Sequence, residues 1–290
     1  MTAMRRFLLS LVALVLAGPT LLASASAASP TLDRIKEKGA ITFAYRDGAA
    51  PFSFKDRDGR VRGYSVELCV RAALAVQREL QMKALKIEWV PVDSASRFET
   101  VMGGKVDAEC GTSTITLGRM KTVDFSLPIF VDGGGVLVRS KSKVARLKDL
   151  KGKRIGVIPG TTTEQALTRV LNAADAPATI VPVKDAADGM AQLTQGKVDG
   201  YASDRVVLAG LRMRAKVPES YDLLSEDFSY EPYAIVLPRN DPDFRLAVNT
   251  ALANLYRTGD IDPIYQRWLG NLGRPGMLLH AMFYLNTLPE

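Results

Sequence analysis

Two arginines, Arg97 and Arg119, flank a short run of glycine and hydroxyl residues at 111–114 (GTST). A guanidinium group binds a carboxylate through two parallel hydrogen bonds, and nearby hydroxyl and backbone N–H groups add further donors. The chain has one histidine, His280, close to its C-terminus, and a Ser-His-Asp triad or a histidine metal site would have to use it. The residues therefore predict anion binding, and we expect no catalytic residue, metal or cofactor.

Arg46 could serve the same anion together with Arg97. Arg46 ends a predicted strand, and Arg97 opens a predicted helix beside Ser94. The pattern by itself favours solvated surface arginines at both positions. An arginine in the first turn opposes the helix dipole, however, and this mismatch favours a ligand role for Arg97.

A second set of polar residues follows two later strands. Thr161 and Thr162 come after a strand and open a helix, which makes them either an anion cradle or an ordinary helix cap. Asp204 follows the predicted strand 198–202 and either accepts an ammonium group or caps the next helix. A free amino acid requires donors that bind its carboxylate and an acidic residue that binds its ammonium group.

Hydrophobic periodicity places these residues on alternating strands and helices. The alternation indicates parallel α/β units, and it occurs twice at similar length, which predicts two lobes. Residues 131–138 are either a plain glycine-rich loop or a crossover, and the chain returns through 229–237, so that two crossings would form a hinge. The predicted strands are 40–45, 86–92, 106–110, 154–158, 179–183 and 198–202, and the predicted helices are 63–80, 96–103, 160–171, 185–195, 204–216, 244–257 and 262–269.

The first residues predict the compartment. Residues 1–28 combine Arg5 and Arg6, an apolar run and a small-residue end, which is typical of a secretory signal peptide cleaved after Ala27 or Ala28. An uncleaved anchor is disfavoured because it needs about 20 apolar residues. We therefore expect a periplasmic protein. Cleavage would lower the formal charge from +7 to +5, a balance that suits an anionic ligand or simply solubility, and scattered basic residues predict no nucleic-acid binding.

The chain has two cysteines, Cys69 and Cys110. In an oxidising compartment an even count suggests a disulfide, and the alternative is two separate buried thiols. The apolar segment 278–288 either packs onto the first lobe or forms a loosely ordered end.

Several stretches along the chain occur together in a specific order. From about Leu32 to Leu269, the chain resembles the periplasmic amino-acid-binding proteins of bacterial ABC transporters, extracellular solute-binding family 3. The stretches that carry this resemblance are 50–54 (APFSF), 63–68 (GYSVEL), 123–126 (VDFS), 147–153 (LKDLKGK), 160–162 (GTT), 231–235 (EPYAI) and 265–269 (YQRWL).

The resemblance implies an α/β, two-lobed periplasmic binding protein fold of type II with two hinge crossings. Lobe 1 would hold residues 29–130 and 234–290, and lobe 2 would hold 135–228, with hinges at 131–134 and 229–233. The protein would act as a monomer that closes on an amino acid and then docks on a membrane permease. The alternatives are a cyclic-dicarboxylate dehydratase-like enzyme on the same fold and a binder of a different polar amino acid.

Two stretches, 45–53 (YRDGAAPFS) and 109–114 (ECGTST), are similar to the glutamate/aspartate-binding branch. The branch implies an α-carboxylate site, an α-ammonium site, a distal-carboxylate site and a contribution from the second lobe. Arg119, with Thr112 and Thr114, would bind the α-carboxylate, and Asp204 would bind the α-ammonium group. Arg46, Ser94 and Arg97 would hold the distal carboxylate. Thr162 would contribute from the second lobe.

The sequence departs from that branch at two points. A histidine of the branch, next to the distal carboxylate, is replaced by Ala186, which leaves the choice among glutamate, aspartate and a larger or neutral ligand open. A late cysteine of the branch is also absent, and Cys110 would therefore pair with Cys69.

Overall fold

The computed structural model describes residues 29–289, and the predicted signal peptide, residues 1–28, lies outside them. Within the described part, no helix has the length and apolar character needed to cross a bilayer. The strands are β1 (Ala40–Arg46), β2 (Phe54–Lys55), β3 (Val61–Arg62), β4 (Lys86–Val92), β5 (Ala108–Glu109), β6 (Asp124–Phe125), β7 (Phe130–Asp132), β8 (Gly134–Arg139), β9 (Arg154–Val157), β10 (Thr179–Pro182), β11 (Gly200–Asp204), β12 (Tyr221–Leu223), β13 (Glu231–Tyr233) and β14 (Val236–Leu237). The α-helices are α1 (Pro30–Lys38), α2 (Tyr64–Glu79), α3 (Arg97–Met102), α4 (Thr162–Ala173), α5 (Ala186–Thr194), α6 (Arg205–Arg214), α7 (Pro242–Thr258), α8 (Ile261–Leu269) and α9 (Met277–Leu285).

The first lobe is built on a five-stranded sheet in the order β4-β1-β5-β14-β6. Strands β4, β1 and β5 are parallel, and β14 pairs antiparallel with β5 and β6. Helix α2 buries the apolar stripe that includes Leu68, Ala72 and Val76 in the same core as Phe43 and Phe244. Full burial of a leucine or valine side chain contributes about 1.5–3 kcal/mol, so this stripe holds α2 in place.

The second lobe repeats the plan with the order β10-β9-β11-β8-β12. Strands β10, β9 and β11 are parallel, while β8 and β12 add an antiparallel edge. Its core contains Ile155, Leu167 and Leu171, which join β9 to α4. The two mixed sheets confirm the predicted two-lobed α/β fold, and in each sheet the strand that follows a crossing, β8 or β14, runs antiparallel to its neighbours.

Two short strands carry the chain between the lobes. Strand β7 pairs antiparallel with β13, and Phe130 lies opposite Tyr233. Both rings pack against Phe52, with centroids 4.9 and 5.4 Å from its ring. These contacts anchor one end of each crossing to the first lobe. That the segments 131–134 and 229–233 act as hinges stays a prediction.

A disulfide joins Cys69 of α2 to Cys110, the residue that follows β5. Both residues are buried in the core of the first lobe. The bond ties the start of the 111–114 run to a helix that is itself fixed by its apolar stripe. It also resolves the alternative of two separate thiols in favour of the bridge.

Both ends of the described chain pack on the first lobe. Helix α1 was not predicted, although Ser29 accepts a hydrogen bond from Leu32 N and Gly39 ends the helix with φ 69°, which are typical start and stop signals. Helix α9 buries Leu279, Met282 and Phe283, so the C-terminal segment packs onto the lobe. His280 is exposed on the opposite side of that helix.

The N-terminus of α2 is held by main-chain carbonyls in place of a side-chain cap. Tyr64 N and Ser65 N donate to the carbonyl oxygens of Pro51 and Phe52 at 2.9 and 3.0 Å. Gly63 permits this approach, since its φ is +134° and a Cβ there would lie 2.1 Å from Phe52 O. Two of the sequence stretches noted above, 50–54 and 63–68, therefore meet at this point.

The substitution Gly63→Ala should destabilise the protein by at least about 3 kcal/mol, because its Cβ would meet backbone atoms that cannot move aside. Gly59→Ala is the matched control, since Gly59 also has positive φ (+79°) but open space around it. It should cost only about 1–2 kcal/mol of backbone strain. Urea unfolding of the two variants measures the difference, and equal losses would contradict this account.

Candidate functional site

The ends of several strands from both lobes meet at one cavity. Ligands of α/β proteins commonly bind there, because loops and helix N-termini beyond the strands expose hydrogen-bond donors. Seven of the nine predicted ligand-binding residues line this cavity: Arg46, Arg97, Thr112, Thr114, Thr161, Thr162 and Asp204. The structure also brings in Ile158, Thr163, Ala202 and Ser203, which sequence reasoning missed although each adjoins a predicted strand end or helix start.

Arg46 spans the gap between two loops of the first lobe. Its Nη1 donates to Thr112 Oγ1 at 3.1 Å, and its Nη2 donates to Ser94 Oγ at 2.8 Å. These hydroxyl groups fix the orientation of the guanidinium but bring no negative charge. Among the described residues, no carboxylate forms an ion pair with Arg46.

Arg97 is only 3% exposed, so the preference of the sequence pattern for a solvated surface arginine is wrong here. Its Nη1 donates to the Ser94 carbonyl oxygen, and its guanidinium carbon lies 4.5 Å from the ring centroid of Phe98. Its Nε finds no hydrogen-bond partner within the described part of the chain. Burial, and next the positive charge of Arg46, lowers the pKa of Arg97 to about 9. An anion beside these two arginines would offset most of the free-energy cost of burying the Arg97 charge next to that of Arg46.

Arg119 lies close to the cavity but outside its immediate lining. Its Nη1 donates to the carbonyl oxygen of Thr114 at 2.8 Å, and its guanidinium carbon lies 4.9 Å from the same Phe98 ring that Arg97 contacts. Burial lowers the pKa of Arg119 from its usual value. The three arginines therefore converge on one region, with Arg46 and Arg97 in direct contact with the cavity.

The two threonines of the second lobe have different bonding. Thr161 caps α4, because its hydroxyl accepts from Glu164 N at 3.2 Å and donates to Ile158 O at 2.8 Å. The Thr161 hydroxyl therefore acts as an ordinary helix cap, which is one of the two roles that the sequence allows. The hydroxyl of Thr162 lies 3.4 Å from that of Thr114, which belongs to the first lobe. The two lobes therefore meet at this pair.

Asp204 stands at the N-cap position of α6, but its side chain makes no capping hydrogen bond. Its carboxylate is therefore available to the cavity. Loss of solvation, and next the negative charge of Glu231, raises the pKa of Asp204 to about 6. Burial, and next Asp204 itself, raises the pKa of nearby Asp132 to about 7. This acidic part of the site favours a bound cation as strongly as the arginines favour an anion.

Glu109 and Gly111 shape the floor of the arginine cluster. Glu109 is fully buried at the end of β5, and burial raises the pKa of its carboxyl. A Cβ at Gly111 would lie 2.1 Å from Glu109 Oε1 and 3.1 Å from Arg46 Cδ. Sequence reasoning missed Glu109, although an acidic residue inside the apolar strand pattern 106–110 is the signal that could have identified it.

A second chamber adjoins the first and shares Arg46, Thr112 and Asp204 with it. Ser94, which does not line the first cavity, lines this chamber together with Lys184 and Ala186. The small side chain of Ala186 contributes to the width of the space next to the predicted distal-carboxylate residues.

The fold and the cleft define a class, the two-lobed solute-binding proteins. The model of the bacterial extracellular solute-binding proteins, family 3, matches residues 41–271, so the chain belongs to that family. Family membership identifies the chain as a solute binder and not as an enzyme, which removes the dehydratase-like alternative.

Individual relatives are similar over most of their length. The glutamate/aspartate import solute-binding protein of Salmonella typhimurium is 32% identical over 247 residues, which are 85% of this chain and 82% of the relative. The L-glutamate/L-aspartate-binding protein of Pseudomonas aeruginosa is 32% identical over 260 residues, or 89% and 85% of the two chains. An ancestral arginine-binding protein bound to glutamine is structurally similar, with a TM-score of 0.71, 28% identity, and coverage of 80% of this chain and 98% of that one.

The geometry at Gly111 generates a prediction for solute binding. Gly111→Ala should weaken the binding of the amino-acid ligand at least tenfold, roughly the cost of losing one charge-assisted hydrogen bond, because the new Cβ displaces Arg46 or Glu109. Gly118→Ala is a control in the same loop, since its Cβ would meet only Thr116 Oγ1 at 3.8 Å. Isothermal titration calorimetry on both variants measures the effect. Unchanged affinity in Gly111→Ala would show that this contact does not position the site.

Proposed function

We propose that this protein binds an acidic amino acid, glutamate or aspartate, between its two lobes as the solute-binding component of an ABC transporter. The observation that carries the proposal is that Arg46 and Arg97 line one cavity and that hydroxyl and carbonyl oxygens alone bond them. Burial of a guanidinium that forms no ion pair is unfavourable, and because the negative charge of buried Glu109 offsets only part of this cost, a ligand carboxylate would supply the missing pair. The names of the Salmonella and Pseudomonas relatives support the same ligand class.

The charges of the site suggest one orientation for the ligand. The distal carboxylate would face Arg46, Ser94 and Arg97. The α-carboxylate would lie near Thr112 and Arg119, where the first-turn N–H groups of α4 add donors and the helix dipole favours an anion. The α-ammonium group would face Asp204.

Binding would proceed by lobe closure. Because the cavity is lined by residues of both lobes, a bound ligand stabilises the closed arrangement and shifts an open–closed equilibrium toward it. In this proposal residues 29–130 and 234–290 move as one lobe and 135–228 as the other. The closed form, located in the periplasm after removal of residues 1–28, would then deliver its ligand to a membrane permease.

A second ligand class is favoured by one observation. The chamber beside Ala186 and Lys184 extends past Arg46 and would accommodate a longer or neutral polar amino acid. Calorimetry of the wild-type protein, freed of ligand by unfolding and refolding, with the twenty amino acids and the longer acid L-2-aminoadipate decides between these candidates. Tight binding of glutamate or aspartate supports the first proposal, and a preference for glutamine or 2-aminoadipate would overturn it.

Removal of the Arg46 charge should act on acidic ligands selectively. Arg46→Gln should reduce the ratio of L-glutamate to L-glutamine affinity by at least about tenfold, since a hydrogen bond to a charged group contributes roughly 1.5–3 kcal/mol. Arg57→Gln removes the same charge from an exposed position that lines neither chamber and should leave the ratio unchanged. Calorimetric titration with both ligands gives the ratio. Equal weakening of both ligands by Arg46→Gln would argue against a carboxylate at this position.

Affinity should also fall in mild acid. An ammonium group binds the ionised form of Asp204, whose pKa is raised to about 6 by burial and Glu231. Protonation therefore competes with the ligand as pH falls, while the ligand carboxylates, with ordinary pKa values near 4 or below, stay mostly ionised. The dissociation constant should rise about tenfold between pH 7 and pH 5. Asp204→Asn should bind weakly at both values and show a flat profile; an affinity that increases toward pH 5 would contradict this role for Asp204.

A further inference from the structure

Glu231 lies on β13, the strand that returns the chain to the first lobe, and is only 1% exposed. Its carboxylate accepts three hydrogen bonds from hydroxyl groups. Ser229 Oγ donates to Oε1 at 2.6 Å, while Thr114 Oγ1 and Thr162 Oγ1 both donate to Oε2, at 2.6 and 2.7 Å. One oxygen atom of the crossing segment therefore binds one hydroxyl from each lobe.

This arrangement determines what the two threonines can offer a ligand. A hydroxyl group has one proton and two lone pairs, so a hydroxyl that donates to Glu231 can only accept from another partner. Thr114 and Thr162 both line the cavity. Toward the cavity, these two hydroxyls therefore present hydrogen-bond acceptors. The Thr112 hydroxyl differs, because it accepts from Arg46 and keeps its proton for a ligand oxygen.

Acceptors on this wall match an ammonium group and not a carboxylate. Asp204 lines the same cavity and supplies a negative charge that an ammonium group would also contact. After burial, the charge of Glu231 is the next cause of the raised pKa of Asp204, so the two carboxylates belong to one acidic part of the site. A ligand carboxylate placed against these two hydroxyls and Asp204 would be repelled, so Thr114 is assigned here to the ammonium group, while the α-carboxylate keeps Arg119, Thr112 and the main-chain N–H groups of the α4 first turn.

We propose that Glu231 is a positioning residue that turns the hydroxyls of Thr114 and Thr162 into acceptors for the ligand ammonium group. Because the two hydroxyls come from different lobes and share one Glu231 oxygen, the acceptor pair is complete only when the lobes meet. Lobe closure and recognition of the ammonium group are thereby coupled. This inference rests on the proposed binding of an amino acid but not on the acidic nature of its side chain.

The test compares L-glutamate with glutarate, which keeps both carboxylates and lacks the ammonium group. The measured quantity is the ratio of the two dissociation constants, glutarate over glutamate, obtained by calorimetry with displacement titration for the weaker ligand. Glu231→Gln replaces one acceptor oxygen by a donor and should reduce this ratio by about tenfold or more, the effect of one lost hydrogen bond to a charged group. If Glu231 has only a structural role, the substitution will weaken the binding of both ligands by the same factor. The ratio would then stay unchanged, which would overturn the proposal.

Two further variants keep the test decisive. Thr162→Val preserves the shape of the side chain and should also reduce the ratio, even if Glu231→Gln fails to fold. Ser229→Ala removes the donor to Oε1 and the acceptor of Gly134 N, but neither member of the acceptor pair, and should leave the ratio near that of the wild type. A reduced ratio in Ser229→Ala, or an unchanged ratio in Thr162→Val, would contradict the assignment of the acceptor pair.

The same titrations separate this inference from the proposed ligand class. If wild-type protein gives no heat with L-glutamate, the acidic specificity fails. The ratio is then measured with L-glutamine and its deaminated analogue glutaramate, or with the corresponding pair for whichever of the twenty amino acids binds. Absence of binding by all twenty would overturn both proposals.

Discussion

The proximity of two guanidinium groups, that of buried Arg97 and that of half-buried Arg46, is the constraint on which the site depends. Arg46 and Arg97 line one cavity, each charge disfavours the other, and the oxygens that bond them carry no net charge. The charges of Glu109 and Asp204 offset only part of this cost, since the pKa of Arg97 is still lowered to about 9, and a bound anion would offset more of it. The acidic part of the site has the opposite character, since burial and Glu231 act against the ionised form of Asp204. A zwitterion with an additional carboxylate would relieve both effects at once.

The rest of the fold keeps these charges in place. Arg46 ends β1, the central strand of the parallel part of the first sheet, so its backbone cannot move away from the cleft. The disulfide at Cys110 fixes the loop that carries Thr112, and Gly111 leaves the room that the Arg46 side chain occupies. Rigid support of this kind lowers the entropy lost when a ligand binds. The crossing strands β7 and β13 then bring the second lobe to the same place.

Much of this architecture could be predicted from the sequence, because strand and helix periodicity are local. The pattern at 40–45 and 86–92 predicts β1 and β4 nearly to their ends, and the typical residue order of the family predicts the two lobes. Helix α1 was missed even though Ser29 and Gly39 signal it. The bonding of the site was harder to predict, since a hydroxyl such as Thr161 is either a helix cap or a ligand group until its neighbours are known. The role of Glu231 depends on contacts with residues 117 and 69 positions away, which no local pattern contains.

The most direct measurement is a crystal structure of the protein with L-glutamate. The account predicts that the side-chain carboxylate of the ligand lies within about 3 Å of guanidinium nitrogens of Arg46 and Arg97. It would be contradicted if that carboxylate turned toward solvent or toward Ala186 and stayed farther than about 4 Å from both arginines.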